Sequence, residues 1–172
     1  MMDLKKHIRE IQDFPIEGVL FRDITTVLKN PATLKLAIDS MMDCVKDLEF
    51  DTILGPESRG FIFGVPMAYN MGKGFVPVRK AGKLPAEVCS KEYALEYGSA
   101  TIEIHKDAIV PGQRFVIVDD LLATGGTAKA VVDLVEEMGG IVVAHLYFIE
   151  LNELGGRAVL DGQDVRTVLA YE

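Results

Sequence analysis

Between residues 31 and 48 the apolar positions Leu34, Ala37, Ile38, Met41, Met42, Val45 and Leu48 recur every third or fourth residue, the period of a one-sided helix. Asn30 and Pro31 stand where a cap and a first helical turn place them. A short apolar run, 50–54, closes at Gly55-Pro56. A second helical stretch then covers about 60–71 and a second apolar run 74–78, which reads as strand, helix, strand. The same rhythm returns in 114–119, an apolar strand ending in acids. A helix over 127–138 follows, carried by Val131, Val132, Val135 and Met138 and stopped by Gly139-Gly140, and then a strand over 141–149. Continuously apolar strands that alternate with helices predict an α/β architecture, a parallel sheet covered on both faces. No internal repeat or linker interrupts it.

Two neighbouring segments break this rhythm. Residues 73–91 hold Lys73, Arg79, Lys80, Lys83 and Lys91 against Glu87 alone, a local charge of +4 in a chain whose formal net charge is −8. Residues 93–98 and 101–104 alternate apolar and polar positions around Gly98-Ser99, as a β-hairpin does. The expectation is a long loop over 79–105 that carries a hairpin arm.

Composition narrows the class. At 172 residues, 49% of them hydrophobic and 26% charged, the chain can bury the core of one domain, which excludes wholesale disorder. The acidic balance disfavours nonspecific nucleic-acid binding, so any bound anion must meet a local site. The apolar run 141–149 contains His145 and is far shorter than a bilayer span, so no membrane helix is expected. Residues 1–10 alternate charges with isolated Leu4 and Ile8, unlike a secretory signal, and the expected location is the cytoplasm. Cys44 and Cys89 can build neither a disulfide framework nor a four-thiolate zinc site. His7, His105 and His145 are far apart, so no dedicated protein metal site is expected.

The chemistry concentrates in VIVDDLLATGGT, residues 116–127. A buried strand delivers Asp119 and Asp120, and a Thr-Gly-Gly-Thr turn then opens a helix. Ligands of open parallel sheets bind at the carboxyl ends of strands, and a helix start behind a glycine-rich turn offers free N–H groups and a positive dipole end to a phosphate. Carboxylates beside such a cradle suit a phosphorylated sugar, with acceptors for ribose hydroxyls and donors for the 5-phosphate. GPESRG, residues 55–60, has the outline of a triphosphate-binding loop, but Phe61-Ile62 stand where lysine and a hydroxyl residue are required, which excludes that reading.

The 116–127 segment resembles the phosphoribosyl pyrophosphate (PRPP) signature of type I phosphoribosyltransferases. FRDIT at 21–25, GPESRGF at 55–61 and RKAGKLP at 79–85 resemble the adenine phosphoribosyltransferase family within that group. The resemblance implies a Rossmann-like parallel sheet flanked by helices in a single domain over 1–172. To this it adds an N-terminal hood of about residues 1–30, completed near residue 151, and a flexible loop over about 79–105. It also implies the reaction of adenine with PRPP to give AMP and pyrophosphate, a step of purine salvage assisted by Mg²⁺ that rides on PRPP oxygens and water.

By the same resemblance Asp119 and Asp120 hold the ribose, while Ala123, Thr124, Gly125, Gly126 and Thr127 wrap the 5-phosphate. Ser58, Arg59, Arg79 and Lys83 meet the pyrophosphate. Arg59, Lys80 and Glu96 are the catalytic candidates, with Glu96 near purine N7 and Tyr97 beside it in a closing lid. Leu20, Phe21, Arg22 and Leu151 form the adenine site, with Phe21 stacked on the ring. A homodimer is implied, because basic loop residues of the family reach a neighbouring subunit, and neither nucleic acid nor membrane is a partner. Two alternatives remain open: a phosphoribosyltransferase for another base such as xanthine or orotate, and a non-catalytic PRPP-sensing regulator.

Overall fold

The computed structural model describes residues 3–94 and 98–172. A 3-10 turn over Leu4–His7 leads into a two-stranded antiparallel ribbon, β1 (Arg9–Gln12) and β2 (Leu20–Asp23), followed by the short helix α1 (Thr25–Leu28). Helix α2 (Pro31–Val45) begins where the Asn30 side chain accepts from the backbone N–H groups of Ala32 (2.9 Å) and Thr33 (3.4 Å), with Pro31 in its first turn. It ends at Val45, short of the expected residue 48, because the Leu48 N–H closes a turn on the Val45 carbonyl at 3.0 Å and leads the chain into the core at Phe50.

Strand β3 (Thr52–Pro56), helix α3 (Arg59–Met71) and strand β4 (Gly74–Lys80) form the first crossover unit. Strand β7 (Arg114–Leu122), helix α4 (Gly126–Glu137) and strand β8 (Ile141–Leu151) form the second. The hairpin between them is β5 (Val88–Ala94) with β6 (Ser99–His105), and the chain closes with helix α5 (Gly156–Val159) and strand β9 (Val165–Tyr171). The main sheet has the order β5-β6-β4-β3-β7-β8-β9. Its β4-β3-β7-β8-β9 portion is parallel, and β6 and β5 add antiparallel at one edge.

Alternate residues of the central strands serve opposite layers. Ile53, Val116 and Val118 meet Ala37, Met41 and Val45 of α2 and Phe63 and Met67 of α3 on one face. Leu54, Phe115 and Ile117 meet Val131, Leu134 and Val135 of α4 on the other. Burial on both faces is why these strands read as unbroken apolar runs.

The structure differs from the expectation at three places. Strand β7 runs through Leu122 rather than stopping at residue 119, so the aspartates lie inside the strand. The supposed long loop is mostly strand: β4 extends to Lys80, β5 begins at Val88, and Ser99 pairs with Ala94 instead of turning, which leaves 81–87 between strands. The ribbon β1–β2 and the strand β9 have no counterpart in the periodicity reading, since a four-residue strand and a crossover through a four-residue helix give little period to detect. Among the described residues no helix is long and apolar enough to cross a membrane.

Candidate active site

The carboxyl ends of β3 and β7 and the beginnings of α3 and α4 surround a cleft of about 260 Å³. The five residues from Ala123 to Thr127 form one wall. Gly125 adopts φ +82° and α4 begins at the next residue, so the first N–H groups of the helix, which have no partner inside it, face the same region as the dipole's positive end. The turn lies directly on the first turn of α5. A Cβ on Gly125 would stand 2.7 Å from the Gly156 carbonyl oxygen, and one on Gly156 only 2.2 Å from that of Ala123. Only glycine permits this approach, which seats the turn against α5.

Asp119 and Asp120 project from β7 into the cleft. An Asp119 Oδ1 atom accepts the Asp120 N–H at 2.8 Å, and Asp120 Oδ2 accepts from Arg59 Nε, in the first turn of α3, at 2.7 Å. Burial pushes the Asp119 carboxyl well above its ordinary value, and the neighbouring Asp120 charge adds to the effect. Asp120 is also raised by burial, against the opposing influence of the Arg59 guanidinium.

The opposite wall carries Arg79 and Lys80 from the end of β4. Glu57 Oε2 accepts from Arg79 Nε at 2.8 Å and from the Lys80 N–H at 3.0 Å, and the Arg79 partner holds the Glu57 carboxyl below its usual range. The Glu57–Ser58 peptide is cis. Ser58 and Lys83 are not among the residues that line the cleft, and Lys83 is exposed in the 81–87 connection. Glu96 and Tyr97 lie outside the described residues.

A second cavity of about 200 Å³ adjoins the first and is mostly apolar. Leu20, Phe21 and Arg22 of β2 and Leu151 at the end of β8 line it, with Val19, Leu121, Ile149 and Leu154. All four residues expected at a base site therefore meet in one place. The Phe14 ring stands edge-on to Phe21 with centroids 5.2 Å apart. The Arg22 guanidinium lies 4.0 Å over the Tyr171 ring and is paired with Glu10, which fastens the ribbon to β9. Arg59, Asp120, Leu121 and Ala123 line both cavities, so the carboxylate cleft and the apolar slot share a wall.

Some wall residues were not singled out by sequence. Tyr93 of β5 lines the cleft, with its hydroxyl 3.1 Å from Thr127 Oγ1, and Tyr147 of β8 stands in register with Asp119. Within hydrophobic alternation a tyrosine looks like any other strand residue. The clue available for Tyr93 is its place in the hairpin next to the cationic stretch.

The chain's kinship agrees with this geometry. A family profile described as "Phosphoribosyl transferase domain" matches residues 23–163. The adenine phosphoribosyltransferase of Lachnoclostridium phytofermentans is 56% identical over 99% of this chain and 98% of the relative. The crystal structure of adenine phosphoribosyltransferase from Thermoanaerobacter pseudethanolicus superposes with a TM-score of 0.95 at 53% identity, covering 98% of each chain. The Saccharomyces cerevisiae enzyme, solved in complex with D-2,5-dideoxy-2,5-imino-altritol 1,6-bisphosphate and adenine, gives 0.88 at 42% identity over 94% of each chain. The chain is thus a phosphoribosyltransferase, with the parallel sheet and flanking helices of that class. Within the class it belongs to the adenine phosphoribosyltransferase family.

Proposed function

We propose that this chain transfers the 5-phosphoribosyl group of PRPP to adenine, releasing AMP and pyrophosphate, as a purine-salvage enzyme of the cytoplasm. The observation that carries the reading is the shared wall. Arg59 and Asp120 stand between a phosphate cradle with two carboxylates and an apolar slot lined by Phe21 and Leu151. A ribose lying across that wall would have its 5-phosphate at 123–127 and its anomeric carbon toward the slot.

In this reading Asp119 and Asp120 accept hydrogen bonds from the ribose hydroxyls, and the turn from Ala123 to Thr127 donates to the 5-phosphate. Adenine occupies the second cavity between Phe21 and Leu151, its edge met by the backbone of Leu20 and Arg22. The N9–C1′ bond forms as the C1′–pyrophosphate bond breaks, and the N9 proton leaves the base. Arg59, Arg79 and Lys80 neutralise the departing pyrophosphate, with Ser58 and Lys83 as the further pyrophosphate contacts that the resemblance implies. Catalysis is then mainly positioning and charge stabilisation. Glu96 serves the base near N7 and Tyr97 belongs to the lid.

Magnesium fits as a passenger of the substrate. The aspartates offer hard oxygen donors, yet among the described residues no group of three or more His, Cys, Asp and Glu side chains comes together to hold an ion. PRPP oxygens and water would complete its shell, and the ion would supply neutralising charge to the leaving group. The family resemblance also supports a homodimer, which sedimentation of the purified chain would check, and one domain whose hood combines residues 1–30 with the segment near 151.

Incubation with PRPP, Mg²⁺ and each nucleobase separately tests the reading. AMP and pyrophosphate from adenine alone are expected. Product confined to a 6-oxopurine, xanthine or orotate would reassign the base, and PRPP binding without any nucleotide product would favour a sensor.

A further inference from the structure

We propose that Tyr93 is a positioning residue for the 5-phosphate of PRPP, acting through the hydroxyl of Thr127. The inference rests on the reading of residues 123–127 as the phosphate cradle. Tyr93 sits on β5 of the edge hairpin, half-buried, and its ring reaches across to the start of α4. Its hydroxyl lies 3.1 Å from Thr127 Oγ1, and both residues line the cleft. The strand is seated there by a second contact two residues earlier, where Lys91 pairs with Glu137 at the far end of α4.

Each of these hydroxyls has one proton, so the contact can run in only one direction at a time. If Thr127 donates to Tyr93, its oxygen turns only lone pairs toward the cleft and repels an anion. If Tyr93 donates to Thr127, the Thr127 proton is free to point at the phosphate, giving a chain from phenol to hydroxyl to anionic oxygen whose links polarise one another. A bound phosphate therefore selects the second arrangement. Without the phenol, Thr127 spends part of its time in orientations useless to the ligand.

The test is calorimetric binding of ribose 5-phosphate, and separately of pyrophosphate, to the full chain and to Tyr93→Phe, Thr127→Val and the double variant. Tyr93→Phe keeps the ring and its packing, and its melting temperature is expected to match the parent. It should weaken ribose 5-phosphate binding by roughly three- to tenfold, the scale of one hydrogen bond, and leave pyrophosphate binding unchanged. The double variant should bind no worse than Thr127→Val, because the phenol acts only through that hydroxyl. Parental affinity in Tyr93→Phe, additive losses in the double variant, or an equal loss of pyrophosphate binding would each overturn the proposal while the cradle stood. Parental affinity in Thr127→Val would overturn the cradle assignment, and the proposal with it.

Discussion

Arg59 Nε and Asp120 Oδ2 are 2.7 Å apart, and the two residues form the partition between the carboxylate cleft and the apolar slot. Asp120 is nearly enclosed while Arg59 is about half exposed, so the aspartate is the fixed member and the arginine the one free to turn toward a ligand. Arg59→Ala is expected to raise KM for PRPP and for adenine together. Removing the guanidinium also removes what opposes the upward push on Asp120, so the acid limb of the pH–rate profile should move to higher pH. An unchanged acid limb with parental KM values would take Arg59 out of the partition.

Asp119 is a group held at a site that burial makes unfavourable for its charge. A carboxyl raised in the folded state releases its proton more readily on unfolding. The penalty it imposes is therefore absent below the ordinary value of about 3.9 and grows as pH rises toward the folded value. Asp119→Asn should melt above the parent at pH 7 and alongside it near pH 4, while kcat/KM for PRPP falls roughly 10- to 100-fold through loss of a charged acceptor. Thermal scans at the two pH values, paired with initial rates, check both halves; a destabilised variant at pH 7 would contradict the account.

Phe21 lines the second cavity and not the carboxylate cleft. Phe21→Ala should raise KM for adenine roughly tenfold, the scale of a lost apolar contact, with KM for PRPP within about twofold of the parent. Steady-state kinetics with each substrate varied in turn decide it, and equal effects on both would mean the slot is not the base site.

His145 is fully buried, shares a 3.1 Å contact between its Nδ1 and the Tyr147 hydroxyl, and leaves Nε2 without a partner. Burial lowers its pKa to about 4. The unfolded chain then binds a proton below about pH 6.5 that the folded chain refuses, so stability falls as pH drops from about 6.5 to about 4. His145→Gln, which can still meet the Tyr147 hydroxyl, should flatten that dependence in urea unfolding. A parental slope in the variant would assign the acid sensitivity elsewhere.

Much of the lining of the cleft was legible because its residues are local in sequence. Asp119, Asp120 and the turn from Ala123 to Thr127 follow one another along a single strand and the start of a helix, and residue type and backbone conformation are coupled over that short distance. Phe21 and Leu151 are different. They are ordinary apolar residues 130 positions apart, named through resemblance, and it is the crossover of β8 and the docking of the ribbon onto β9 that bring them into one cavity. Tyr93 was illegible for the same reason, since its partner Thr127 lies on another element.

By itself the sequence determined the alternation of strands and helices, the two-sided burial of the sheet and the glycine turn that opens α4 after the paired aspartates, because periodicity and turn chemistry are short-range properties of the chain. Tertiary structure decided what those elements enclose. It extended β7 so that the aspartates lie buried within the strand, converted most of the expected loop into sheet, paired Arg79 with Glu57 and set Arg59 between two cavities. Each of these depends on contacts between segments distant in the chain, where burial and charge pairing are settled by packing rather than by neighbours in sequence.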